Sequence, residues 1–160
     1  MTDVRVRVAD YAVGASGDVL STLGLGSCVA IVLYDAEARV GALAHILLPD
    51  AALARDTANP AKFPSTVVPL MLREMQARGA RATRVRARIA GGASMFANLI
   101  PKGGVNVGER NVTATRAALA DAGIPLDAED TGADHGRSVF FELEGGTLQV
   151  RSLKRGTRVL

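Results

Sequence analysis

Residues 28–48 read CVAIVLYDAEARVGALAHILL: two apolar runs, Cys28 to Tyr34 and Val40 to Leu48, parted by Asp35-Ala-Glu-Ala-Arg39. Apolar runs of this length, rich in β-branched residues and separated by a short polar stretch, specify an antiparallel hairpin. A four-residue turn over Asp35 to Ala38 sets Tyr34 opposite Arg39 and, counting back along both strands, Cys28 opposite His45. Directly opposed residues share a face, with Cβ atoms about 4.5–5.5 Å apart. A slip of one residue would put them on opposite faces. The hairpin therefore predicts a thiol and an imidazole within reach of each other.

Outward toward the N-terminus, Val4, Val6 and Val8 alternate with Arg5 and Arg7, the period of a half-buried strand. After the glycine-rich stretch Gly14 to Gly26, Gly24-Leu-Gly26-Ser27 is expected to deliver the chain through a flexible turn into the strand that begins at Cys28. Neither Gly14-Ala-Ser-Gly17 nor Gly24-Leu-Gly26 has the spacing of a phosphate loop. Toward the C-terminus, Pro49 closes the second strand and residues 50–64 read as loop. Pro69 to Arg78 reads as a helix, with Pro69 near its first turn and Gly79 in the stop position. Arg84, Arg86 and Arg88 alternate with Val85, Ala87 and Ile89 in a strand that ends at Gly91-Gly92. This arginine row is a solvated face or a basic row that steers an acidic partner. A helix is expected over about Asn111 to Ala122, with Asn111 as cap and Gly123 as stop, and Ser138 to Glu144 and Thr147 to Leu153 flank Gly145-Gly146 as a second hairpin. The tail from Lys154 is expected to fray. Hairpins mixed among helices give an α+β class in one domain over 1–160, with its core at about 4–153.

Composition narrows the function. With 48% apolar and 22% charged residues the 160-residue chain is an ordinary globule, and no run approaches the roughly 20 apolar residues of a membrane span, so a cytoplasmic place is expected. One cysteine excludes an intramolecular disulfide, and two histidines offer no dense set of zinc ligands. Net charge is +3, yet with no Trp and 4% aromatics there is little on which to stack bases, which argues against nucleic acid.

A lone cysteine in an apolar strand is commonly a small buried hydrophobe, and a lone histidine in such a strand is commonly a satisfied core residue. What favours chemistry is the pair. An imidazolium beside Cys28 would lower the thiol pKa, giving a thiolate that attacks an amide carbonyl while His45 passes a proton to the leaving ammonia. N–H groups of the Gly26-Ser27-Cys28 turn are the nearest oxyanion donors, so Gly26 and Ser27 join the expected site. Ser27 itself points away from Cys28 in a strand and is not expected to be the nucleophile.

Five stretches, Thr22-Leu-Gly-Leu-Gly-Ser-Cys28-Val-Ala, Gly41-Ala-Leu-Ala-His45-Ile-Leu-Leu-Pro49, Gly91-Gly92-Ala-Ser-Met-Phe96, Val107-Gly-Glu-Arg-Asn111 and Gly136-Arg137, resemble in order the motifs of the CheD chemoreceptor glutamine deamidases. The resemblance covers roughly residues 15–150. It implies a catalytic triad of Cys28, His45 and Thr22, and a layered α/β/β/α fold with mixed, largely antiparallel sheets, shared with deamidases of the cytotoxic necrotizing factor type. It implies a protein-glutamine glutaminase that needs no cofactor and no metal, acting on the cytoplasmic helices of chemoreceptors and bound by a CheC-type phosphatase. The alternative is a non-catalytic module that grips receptor or phosphatase. His135 departs from the family's pattern and is expected to be a solvent-facing loop histidine.

Overall fold

The computed structural model describes residues 2–95 and 106–160. The strands are β1 (Thr2–Arg5), β2 (Asp10–Ala15), β3 (Asp18–Leu25), β4 (Val29–Asp35), β5 (Val40–Ile46), β6 (Arg86–Gly91), β7 (Leu126–Thr131), β8 (Arg137–Glu142), β9 (Thr147–Ser152) and β10 (Gly156–Val159). The helices are α1 (Pro64–Ala77) and α2 (Val107–Asp121). One sheet runs β1-β3-β8-β9-β10 and the other β2-β5-β4-β6-β7, each with one parallel pair, β1 with β3 and β6 with β7.

The hairpin of β4 and β5 forms, with a register that differs from the expected one. Ala30, not Cys28, lies opposite His45, and Asp35 closes the ladder against Val40. The cause is the fully buried Asp35 carboxylate, which accepts N–H bonds from Glu37, Ala38 and Arg81 and a bond from Arg84 Nε. Those bonds keep Asp35 in the strand and push the turn one residue on, to Ala36–Arg39, where Arg39 takes φ 53°. A shift of two in pairing preserves the face. Cys28 therefore remains on the side of Ala30 and His45, as a diagonal neighbour about 7 Å away instead of a direct one.

The α+β class and the layering follow from the alternation along β4. Val29, Ile31 and Leu33 face α1 and α2, while Cys28, Ala30 and Val32 face the other sheet. Among the described residues both helices lie on the outer face of the β4-containing sheet, where Val67, Val68, Met71, Met75 and Leu119 seal it, so that these residues show one helical layer on two stacked sheets and no helix on the other sheet's outer face. Each fully buried aliphatic side chain of this kind contributes about 1.5–3 kcal/mol. That surplus tolerates a few polar residues between the sheets.

Several expectations change. The glycine-rich stretch Gly14 to Gly26 holds an unanticipated strand: Val19 and Leu20 carry β3, with Gly17 at φ 93° in the tight turn before it. Thr22 consequently sits inside a strand. Helix α1 begins at Pro64, a turn earlier than expected, so Pro69 lies inside it, past the first turn, where its missing N–H leaves the Ser65 carbonyl without its helical donor. Arg84 belongs to a short 3-10 turn. The arginine row is engaged: Arg84 pairs with Asp35 and Glu37, Arg86 with Asp127, and half-buried Arg88 lies 5.3 Å from the Phe141 ring centroid. Helix α2 begins at Val107 under an Asn106 cap that accepts from Glu109 N–H, so Asn111 is not the cap but an interior, buried residue. The tail is not frayed but forms β10 against β9. Strand β7 went unanticipated. Phe96, in the third motif, lies outside the described residues.

Candidate active site

Thr22 and His45 come from different sheets and meet in the layer between them. Thr22 Oγ1 lies 2.7 Å from His45 Nδ1 and 2.6 Å from the Val6 carbonyl oxygen. A hydroxyl owns one proton, and the carbonyl can only accept. Thr22 therefore donates to Val6 and accepts from Nδ1–H, which leaves the lone pair of neutral His45 on Nε2. That nitrogen is buried and has no hydrogen-bond partner among the described residues. Leaving such an acceptor unpaired costs about 1–3 kcal/mol, a cost that an acid–base role would explain.

Cys28 stands where the chain enters β4, on the same face as His45, at 9% exposure against 0% for His45 and Thr22. No hydrogen bond joins the sulfur to His45, since Nε2 has no partner among the described residues. Contacts of this kind commonly tighten only with substrate. The expected resting charges also differ. Burial pushes the Cys28 thiol up, partly offset by its own backbone N–H, and burial pushes His45 down to about 4. The resting pair at neutral pH is thiol and neutral imidazole, so any thiolate must be made by proton transfer during attack.

The folded pKa of His45, about 4 against 6.5, has a consequence for stability. Between those values the unfolded chain binds the proton and the folded chain resists it. Stability is at its full value above about pH 6.5 and falls as pH drops toward 4. Urea midpoints measured at pH 7 and pH 4.5 are expected to fall less in His45→Asn than in the parent. Buried His135, also shifted down by burial, is present in both chains and cancels in the comparison.

The turn before Cys28 is gripped on several sides by residues that the sequence reading left without a role. Gly92 N–H donates to the Cys28 carbonyl and Ala93 N–H to that of Gly26, both at 2.8 Å. Gly91, at φ 112°, could not carry a side chain, because a Cβ there would overlap the Cys28 carbonyl oxygen. Asn111 Nδ2 donates to the carbonyls of Ser27 at 2.8 Å and Leu47 at 3.2 Å. Arg137, 3% exposed, pairs with Asp130 at 3.0 Å and donates to the Gly132 carbonyl at 2.9 Å, fastening the 132–136 loop. This loop folds inward, so His135 is buried and not solvent-facing. The signal for these residues was their place in the quoted motifs, where Gly91-Gly92, Asn111 and Gly136-Arg137 all stand. Gly26 and Ser27 adjoin Cys28, Ser27 exposed and Gly26 half-buried. Among the described residues no three His, Cys, Asp or Glu side chains cluster as metal ligands, and no helix is long and apolar enough to cross a membrane.

Comparison with known proteins identifies the class. Residues 47–152 match the family model for CheD chemotactic sensory transduction. A Thermotoga maritima protein named chemoreceptor glutamine deamidase CheD is 44% identical over 154 residues, covering 96% of this chain and 94% of that protein. A Caldanaerobacter subterraneus protein named probable chemoreceptor glutamine deamidase CheD is 43% identical over 157 residues, covering 98% of this chain and 97% of that protein. The chain belongs to the CheD family. Its fold is also similar to that of a Neisseria meningitidis protein of the family model DUF152, with TM-score 0.55 at 11% identity, covering 84% of this chain and 65% of that one.

Proposed function

We propose that the chain works as one domain that hydrolyses glutamine side chains of chemoreceptors to glutamate and ammonia, with Cys28 as nucleophile, His45 as base and Thr22 as the group that orients His45. The observation that carries this is the Thr22 Oγ1 to His45 Nδ1 contact of 2.7 Å, which selects the tautomer whose free Nε2 lies on the face of Cys28. Nε2 takes the thiol proton as sulfur forms its bond to the amide carbon, and the carbonyl π pair moves to oxygen. The oxyanion is met by N–H groups of the Gly26-Ser27-Cys28 turn, which enters β4 beside the sulfur. Collapse breaks the C–N bond, with the proton on His45 passing to the departing ammonia. Water, deprotonated by the same Nε2, then cleaves the thioester to glutamate and restores the thiol. Each step is proton transfer and acyl transfer, so the scheme requires no cofactor. Partners under this reading are receptor cytoplasmic helices and a CheC-type phosphatase, which places the protein in the cytoplasm.

The test is mass spectrometry of a receptor cytoplasmic fragment after incubation with the protein. Receptor glutamines are expected to gain about 1 Da each, as NH₂ is replaced by OH. Receptor bound tightly but unchanged in mass would replace this reading with the binding module.

A further inference from the structure

We propose that Asn111 is a positioning residue for the nucleophile: its side-chain amide, reaching out of α2, fixes the Ser27–Cys28 peptide so that the Cys28 N–H points into the reacting centre. The inference rests on the deamidase reading above. Asn111 is fully buried, and its Nδ2 spans two carbonyls, that of Ser27, one residue before Cys28, and that of Leu47, two residues after His45. One amide group thus ties the nucleophile's turn to the strand of the base. Across a trans peptide the C=O and N–H point in opposite directions. With the Ser27 carbonyl held toward α2, the N–H of the same peptide is sent the other way, and this N–H offsets part of the rise that burial imposes on the Cys28 thiol.

Two further features support a positioning role over packing. Asn111 Oδ1 is buried without a partner among the described residues, a cost that an apolar side chain on α2 would avoid. Helix α2 is also docked very closely behind the site, since a Cβ on Gly108 would overlap the Ala93 carbonyl oxygen. Ala93 belongs to the segment whose N–H groups hold Gly26 and Cys28. The turn is thereby clamped by Gly92 and Ala93 and, independently, by Asn111.

The experiment compares the full-length parent, Asn111→Ala, Asn111→Asp and Leu119→Ala. Leu119 is buried two turns further along α2, so its variant loosens the helix without touching the turn. Ammonia release from a receptor fragment, assayed well below every melting midpoint, is expected to show kcat reduced on the order of 10²-fold in Asn111→Ala, as for a small misplacement of reacting groups. KM is expected to stay within about twofold, and Leu119→Ala to keep the parent's kcat. Asn111→Asp keeps the side-chain volume while removing both donors, and serves where the alanine cavity prevents folding.

Alkylation of Cys28 by iodoacetamide is a second readout that needs no turnover. Losing the aimed N–H is expected to raise the pH of half-maximal alkylation by about half a unit. A turn that was merely loosened would expose the thiol and lower it. Variants of Asn111 that match Leu119→Ala in kcat, or whose alkylation profile stays put or moves down, overturn the proposal. A parent that releases no ammonia overturns the deamidase reading instead, while the alkylation profile still judges Asn111.

Discussion

Cys28→Ala and His45→Ala are each expected to lower glutamine turnover by at least on the order of 10³-fold, with the double variant little worse than either single one. Under the proposed mechanism sulfur makes the bond and Nε2 moves the proton within one step, so removing either leaves the other nothing to do. Thr22→Val should be milder, because it keeps the shape and removes only the acceptor that fixes the His45 tautomer, while leaving the Val6 carbonyl unpaired. Ammonia release and circular dichroism on the same samples decide this. Appreciable turnover by folded Cys28→Ala would sink the covalent mechanism.

Gly91→Ala is expected to be the most damaging substitution outside the triad. Two costs coincide: a non-glycine residue at φ 112°, and a methyl group driven into the Cys28 carbonyl, which belongs to backbone and cannot swing away. Strained backbone alone costs roughly 1–3 kcal/mol, and the overlap adds to it. A loss of about 3 kcal/mol corresponds to a fall of about 10 °C in melting midpoint for a chain of this size. Thermal melts check the stability. Turnover should fall further than the melts explain, because relief of the clash displaces Cys28. Full activity in a stable Gly91→Ala protein would mean that the turn has slack that the close packing denies.

Much of this was legible in residues 28–48. The two apolar runs of β4 and β5 marked the hairpin, and parity alone marked the shared face of Cys28 and His45. What it could not give was the register, because the choice between Tyr34 and Asp35 as the last paired residue depended on Arg81 and Arg84, nearly fifty residues on. Strand β3 hid among glycines whose local preference is for turns. Strand β7 hid because Leu126 to Thr131 carries three acidic residues, Asp127, Glu129 and Asp130, each answered by an arginine supplied from elsewhere in the chain. The Thr22–His45 contact joins two sheets, and no period along one strand encodes how a second sheet will lie across it. Asn111 reads as a helix end in the sequence because the true cap, Asn106, stands in the glycine-rich stretch before it.

The bonds at Thr22 have one more consequence. The hydroxyl is gripped by Val6 on one side and by His45, in the other sheet, on the other. A chain that had formed both sheets but had not yet seated them face to face would already own the thiol and the imidazole, with nothing to tell the ring which nitrogen to leave bare. Activity is in that sense a late property of this molecule, arriving with the final docking of the layers and not with the strands themselves.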